Sequence, residues 1–145
     1  MSLAALLTGC GGSDSGTGPS RGPAGSYALR QIDGTAPPVE IHHGPWFDAT
    51  NHHFYNQFVL QVTDGVLELD GTANFSLQFN MQYVGDGQPG QTSLMVQGSY
   101  TINGASVQLL PNQGGVIEAR LQNNIVTIGI DFMKKGASLD YTFRR

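Results

Sequence analysis

All four histidines of this chain fall in one stretch, His42-His43-Gly44-Pro45-Trp46-Phe47-Asp48-Ala49-Thr50-Asn51-His52-His53. Neutral imidazoles ligate zinc and copper, so His42, His43, His52 and His53, with Asp48 beside them, are the candidate metal ligands. Adjacent residues on an extended strand project to opposite faces, so one histidine of each pair would converge on a common ion. The bland alternative is a long exposed loop or lid over one end of the domain, with Trp46 and Phe47 tucked against the core. Glu68 and Asp70 alternate to one face near Asp64, a spacing that could hold calcium or exchange protons but that more often marks a solvated strand. Gly85-Asp86-Gly87-Gln88-Pro89-Gly90 has the G-x-G-x-x-G spacing, which binds nucleotides only where a helix follows a strand; here a second strand follows and the motif reads as a hairpin. The G-x-S-x-G spacing at Gly18-Pro19-Ser20-Arg21-Gly22 falls in the Gly/Ser tract and not at a strand-to-helix elbow, and the one cysteine, Cys10, lies far from every histidine, so no nucleophile–base pair is evident. It is expected not to be an enzyme and to need no cofactor.

The elements that position these residues are strands. From Tyr27 onward apolar residues recur with period two, and no segment carries a helical period. Phe75, Leu77, Phe79, Met81 and Tyr83 alternate with Asn74, Ser76, Gln78, Asn80 and Gln82; Leu94, Val96, Tyr100 and Ile102 repeat the pattern, as do Val126, Ile128, Ile130 and Phe132, then Leu139, Tyr141 and Phe143. Between them stand Asp33-Gly34, Asp64-Gly65, Asp70-Gly71, Asp86-Gly87, Asn103-Gly104, Asn123-Asn124 and Lys135-Gly136, residue pairs that adopt the positive φ of tight hairpins. The segments 26–33, 39–43, 54–63, 66–70, 73–84, 92–102, 105–110, 115–121, 124–133 and 138–144 are the expected strands. Joined to their sequence neighbours, about eight to ten strands form an antiparallel up-and-down meander. Closure into a small barrel would remove its exposed edges; a two-sheet sandwich is the alternative.

The run Leu7-Thr8-Gly9-Cys10, followed by GGSDSGTGPSRGPAG over residues 11–25, resembles the lipobox and linker of a bacterial lipoprotein. That resemblance implies a signal remnant over 1–10 and a lipid-modified Cys10. It also implies a flexible Gly/Ser tether over 11–25, a folded domain over 26–145 and an outer-membrane location in the cell envelope. Gly25-Ser26-Tyr27-Ala28-Leu29, Leu69-Asp70-Gly71-Thr72, Gly98-Ser99-Tyr100-Thr101-Ile102 and Leu139-Asp140-Tyr141-Thr142-Phe143-Arg144 resemble the small lipocalin-like domains of such lipoproteins. The family pattern implies that Tyr27 packs at the closed barrel end beneath Arg144 or Arg145. Tyr27 stands where tryptophan is commoner, and a barrel of this size holds side chains or one small ligand. With nine bulky side chains to fill it, Phe58, Phe75, Phe79, Met81, Tyr83, Tyr100, Phe132, Tyr141 and Phe143, a mostly packed interior is expected.

Composition narrows the partners. A chain of 145 residues with net charge −4, 12% charged residues and no basic cluster lacks the electrostatic footprint of a nucleic-acid binder. With one cysteine no internal disulfide can form, so packing alone must stabilise the domain. The expected function is therefore a lipid-anchored envelope module attached to the membrane through Cys10. It would bind a small apolar ligand, with Trp46, Phe47, Tyr27 and Tyr83 as candidate contacts. A packed structural domain that contacts another envelope protein, and a metal protein built on the histidine stretch, are the alternatives.

Overall fold

The computed structural model describes residues 22–134 and 136–145; Cys10 and most of the Gly/Ser tract lie outside the described residues. Nine antiparallel strands follow one another: β1 Gly25–Ile32, β2 Val39–Asp48, β3 His53–Leu69, β4 Asn74–Gly85, β5 Gln88–Asn103, β6 Ser106–Pro111, β7 Ile117–Gln122, β8 Ile125–Ile130 and β9 Leu139–Arg144. Sequence neighbours pair from β2 through to β9, β9 pairs with β1, and β1 also pairs with β3. The ring formed by β1 and β3–β9 is a closed eight-stranded barrel, and β2 is an additional strand laid on β3. The described residues contain no helix. The meander closes as a barrel and not as two facing sheets.

Closure depends on the length of β3. Its C-terminal part, residues 66–69, pairs with residues 25–28 of β1, while its N-terminal part, residues 53–62, pairs with β2. The sequence suggests a turn at Asp64-Gly65, but the strand continues through it with a register shift between Val62 and Asp64. Gly65 serves close packing here. A Cβ at that position would lie 2.9 Å from the Phe79 ring. Asp64 is held across the strands, accepting a 2.6 Å hydrogen bond from Asn80 Nδ2, and Thr63 Oγ1 donates to the Asn80 carbonyl. The two expected strands 54–63 and 66–70 are thus a single bent strand, because an Asx-Gly pair facing an aromatic ring makes a bulge as readily as a turn.

The alternation in β4 sorts its side chains as the sequence suggests: Phe75, Leu77, Phe79 and Met81 are buried, and the intervening polar residues face outward. Phe79 is the hub of the core. Its ring meets those of Phe132, Tyr141 and Phe143 in edge-to-face contacts at 4.9, 5.2 and 5.9 Å. Such pairs contribute about 0.5–1.5 kcal/mol each beyond their area burial.

One end of the barrel is sealed. Tyr27 is fully buried and donates a 2.6 Å hydrogen bond to the Pro23 carbonyl, with the Arg145 guanidinium 5.4 Å from its ring centre. Arg145 also donates to the carbonyls of Gly22 and Ala24 and to Asn124 Oδ1, so the final residues of the expected linker are fastened to the barrel. The β3–β4 turn beside it is organised by Asp70. This carboxylate accepts from the backbone N–H groups of Thr72 and Asn74 at 2.8 Å and from both their side chains. Tyr100 Oη donates to the Asp70 carbonyl at 2.6 Å.

The Asn74 N–H, foremost among these donors, holds the Asp70 carboxyl below its ordinary range. A depressed carboxyl pKa adds stability above about pH 4, the unfolded value, and that stability is lost as pH falls through the folded value. Asp70→Asn is therefore expected to lower the urea midpoint at neutral pH and to flatten the decline of stability between about pH 5 and 2. Urea titrations across that range check both effects, and an unchanged acid limb would remove Asp70 as its source.

Candidate aromatic cleft

Beyond the sealed half the sheet opens. Residues 88–97 of β5 pair with β4 alone, and β2 pairs with β3 alone, so β2 and the adjoining parts of β3, β4 and β5 project past the short strands β6–β9. Burial fades along β4 in the same direction, from the fully buried Phe79 through Met81 to the half-buried Tyr83. On the inner face of this projection lies a cleft of about 430 Å³. Its walls are Trp46, Tyr55, Phe58, Leu60, Tyr83 and Met133, and Asp48, Asn51, Gln91 and Thr92 form its polar portion.

The rings are stacked in series. Phe58 stands between Trp46, at 6.2 Å and 22°, and Tyr83, at 5.4 Å and 28°, and it meets Tyr55 at 5.1 Å. Strict alternation would put Tyr55 and Phe58 on opposite faces of β3. The β4–β5 turn interrupts it: Asp86 N–H donates to the Gln57 carbonyl and Asp86 Oδ1 accepts from the Gln57 N–H, a side chain standing in for part of the strand ladder. The glycines of the G-x-G-x-x-G spacing acquire a structural explanation here. Gly87 makes the turn at φ 82°, a Cβ on Gly85 would lie 2.5 Å from the Tyr55 ring, and a Cβ on Gly90 would overlap the Tyr83 ring. Two glycines are the surfaces on which two tyrosines lie.

The histidine stretch is a strand and hairpin, not the long exposed loop that its sequence suggests. β2 runs to Asp48, whose carboxylate accepts from the N–H groups of Thr50 and Asn51 and from Asn51 Nδ2 at 2.8 Å, closing the turn into β3. From His42 onward β2 alternates regularly, so His42, Gly44 and Trp46 share a face; the register shift between Glu40 and His42 precedes that run, and the shift between Gly44 and Trp46 is taken up on β3, where Phe58 to Tyr55 spans three residues. His42 is buried at 5.6 Å from the Trp46 ring, its Nε2 lies 3.3 Å from the Gly44 carbonyl, and its Nδ1 has no hydrogen-bond partner. His43 faces outward, 3.3 Å from Glu40, His52 occupies the turn at φ 52°, and His53 meets the Tyr55 ring edge-on at 4.4 Å. Among the described residues no three His, Cys, Asp or Glu side chains are placed to hold a metal ion.

Of the four aromatic residues singled out from sequence, the cleft unites Trp46 and Tyr83. Phe47 is on the opposite face, 53% exposed and paired across strands with Phe54, and Tyr27 is sealed at the far end of β3. Tyr55, Met133 and the use of Phe58 as a wall were not evident from sequence, since they depend on the β3 irregularity and on the loop that carries Met133. Asp48 is half-buried, and its hydrogen bonds, led by that from the Asn51 side chain, hold its carboxyl below the ordinary range and keep it ionised at neutral pH. It is the one charged residue among those lining the cleft.

Comparison of the chain with family models, curated proteins and solved structures finds no match. The geometry of the cleft therefore carries the functional argument by itself.

Gly90→Ala isolates the support of Tyr83. Forcing a methyl against a packed ring costs about 1–3 kcal/mol, so the variant is expected to unfold at lower urea and to lose near-ultraviolet circular dichroism from the displaced tyrosine. A wild-type spectrum and midpoint would contradict the close approach.

Proposed function

We propose that this chain is a lipid-tethered binding module of the bacterial cell envelope, taking a small ligand with apolar surface into the aromatic cleft. The observation that carries this reading is the contrast within one sheet: a closed, ring-filled end and an open end where Trp46, Tyr55 and Tyr83 remain partly accessible around Phe58. Clefts of roughly 300–1,000 Å³, apolar with a few placed polar groups, are the usual form of small-molecule sites.

The tether agrees with this arrangement. Gly22 lies at the sealed end, held by Arg145, and β3 separates Leu69 at that end from Tyr55 at the cleft by roughly 45 Å at about 3.3 Å per residue. An acylated Cys10 would join the outer membrane to the sealed end through the Gly/Ser tract, leaving the cleft at the end of the domain remote from the point of attachment. A second reading, contact with another envelope protein, is favoured by the exposed Phe47–Phe54 pair on the outer face of the same hairpin.

Trp46 is the only tryptophan of the chain and sits in the wall of the cleft, so its emission reports occupancy. Titration with the neutral apolar probe N-phenyl-1-naphthylamine is expected to quench Trp46 saturably at one site, with affinity falling at least tenfold in Tyr83→Ala. Linear, non-saturating quenching, or saturation unchanged in Tyr83→Ala, would refute the cleft as the binding site.

A further inference from the structure

We propose that the ligand class selected by this cleft is an organic cation, a substituted ammonium whose apolar groups contact the aromatic walls while its charge is balanced by Asp48. The inference rests on the cleft being the binding site and adds the chemistry of what enters it. Four aromatic residues, Trp46, Tyr55, Phe58 and Tyr83, contribute to the lining. The face of an aromatic ring carries the negative lobe of its quadrupole, and tryptophan and tyrosine attract an alkylammonium better than a neutral alkyl group of equal size. Rings of this kind around one cavity discriminate by charge as well as by apolarity.

The fixed charges agree in sign. Asp48 is the one ionisable group of a charged type among the lining residues, and no Lys or Arg is among them. Its carboxylate is held by the Asn51 side chain and by two backbone N–H groups, which place the negative charge in the hairpin turn beside Trp46. Lys134 follows the lining residue Met133 in the chain but is exposed and is not part of the wall. Arginines collect elsewhere: Arg30, Arg144 and Arg145 line a surface depression with Gln31, Ile125 and Thr142, where β1, β8 and β9 meet. These arginines lie apart from the cleft, whose lining carries one negative group, on a chain of net charge −4. A fatty carboxylate would meet Asp48 with like charge and find no cation to pair with. An ammonium would meet a carboxylate held by neutral donors, with no Lys or Arg among the lining residues, in a wall to which four rings contribute.

Choline and 3,3-dimethylbutan-1-ol have the same shape and differ in charge, and 3,3-dimethylbutanoate supplies the opposite sign. Titrated against Trp46 emission in the full domain, choline is expected to bind at least tenfold more tightly than the alcohol, and the carboxylate more weakly than either. Asp48→Asn keeps an acceptor for the turn and is expected to reduce the choline preference to below threefold, as is added salt in the wild type. Equal affinity for choline and the alcohol, with N-phenyl-1-naphthylamine still binding, would overturn the cation assignment and leave the binding reading standing. If neither choline nor the naphthylamine binds, both fail together.

Discussion

β3 is long enough to serve two partners, and the division of its ladder between them governs the rest of the molecule. Through residues 66–69 it completes the ring with β1, and through residues 53–62 it supports β2 in a sheet that never closes. Had a turn formed at Asp64-Gly65, the two halves would be separate short strands and the open sheet would have no continuous link to the barrel. The bulge after Val62 and the small volume of Gly65, which admits the Phe79 ring, keep the strand whole. The same residue that permits the bend also seats the hub of the core.

From that division follow two environments made of similar residues. Where the ring is closed, aromatic side chains cover one another: Phe132, Tyr141 and Phe143 pack edge to face on Phe79, and Tyr27 is covered by Arg145. Where the sheet is open, no strand faces β2 and the first part of β5, so Trp46, Tyr55 and Tyr83 keep part of their surface in solvent. Rings fill the sealed end and line the other. Tight support beneath the lining, from Gly85 under Tyr55 and Gly90 under Tyr83, fixes ring positions, and such preorganisation would lower the ordering cost of the proposed binding.

Much of this was legible in the sequence where local chemistry and tertiary structure agree. The unbroken alternation of residues 74–84 became a strand with the expected buried face, and Asp33-Gly34, Asp86-Gly87 and Asn123-Asn124 adopt the positive φ that their side chains tolerate. The placement of Tyr27 beneath Arg145 matches what the lipocalin-like pattern implied, and the small antiparallel barrel is compatible with that resemblance. Legibility failed where register shifts occur. A period of two gives His42 and Trp46 a common face, but one irregularity in β2, between Glu40 and His42, and one in β3, between Tyr55 and Phe58, bring both Tyr55 and Phe58 to that face, an outcome that alternation cannot express. Gly90 reads as a loop residue because the Tyr83 ring that lies against it comes from the neighbouring strand. Trp46 and Tyr83 could be singled out as apolar and aromatic, but their common wall could not.

The proposed binding would occur at the open end of a barrel whose other end is sealed. Amide chemical-shift mapping of the folded domain with N-phenyl-1-naphthylamine tests it most directly. Saturable shifts are expected at Trp46 and Met133 and within residues 55–60 and 81–92 alone, with Tyr27, Leu67, Tyr100 and Arg145 unmoved. Shifts centred on Tyr27 and Arg145, or spread evenly around the barrel, would contradict it.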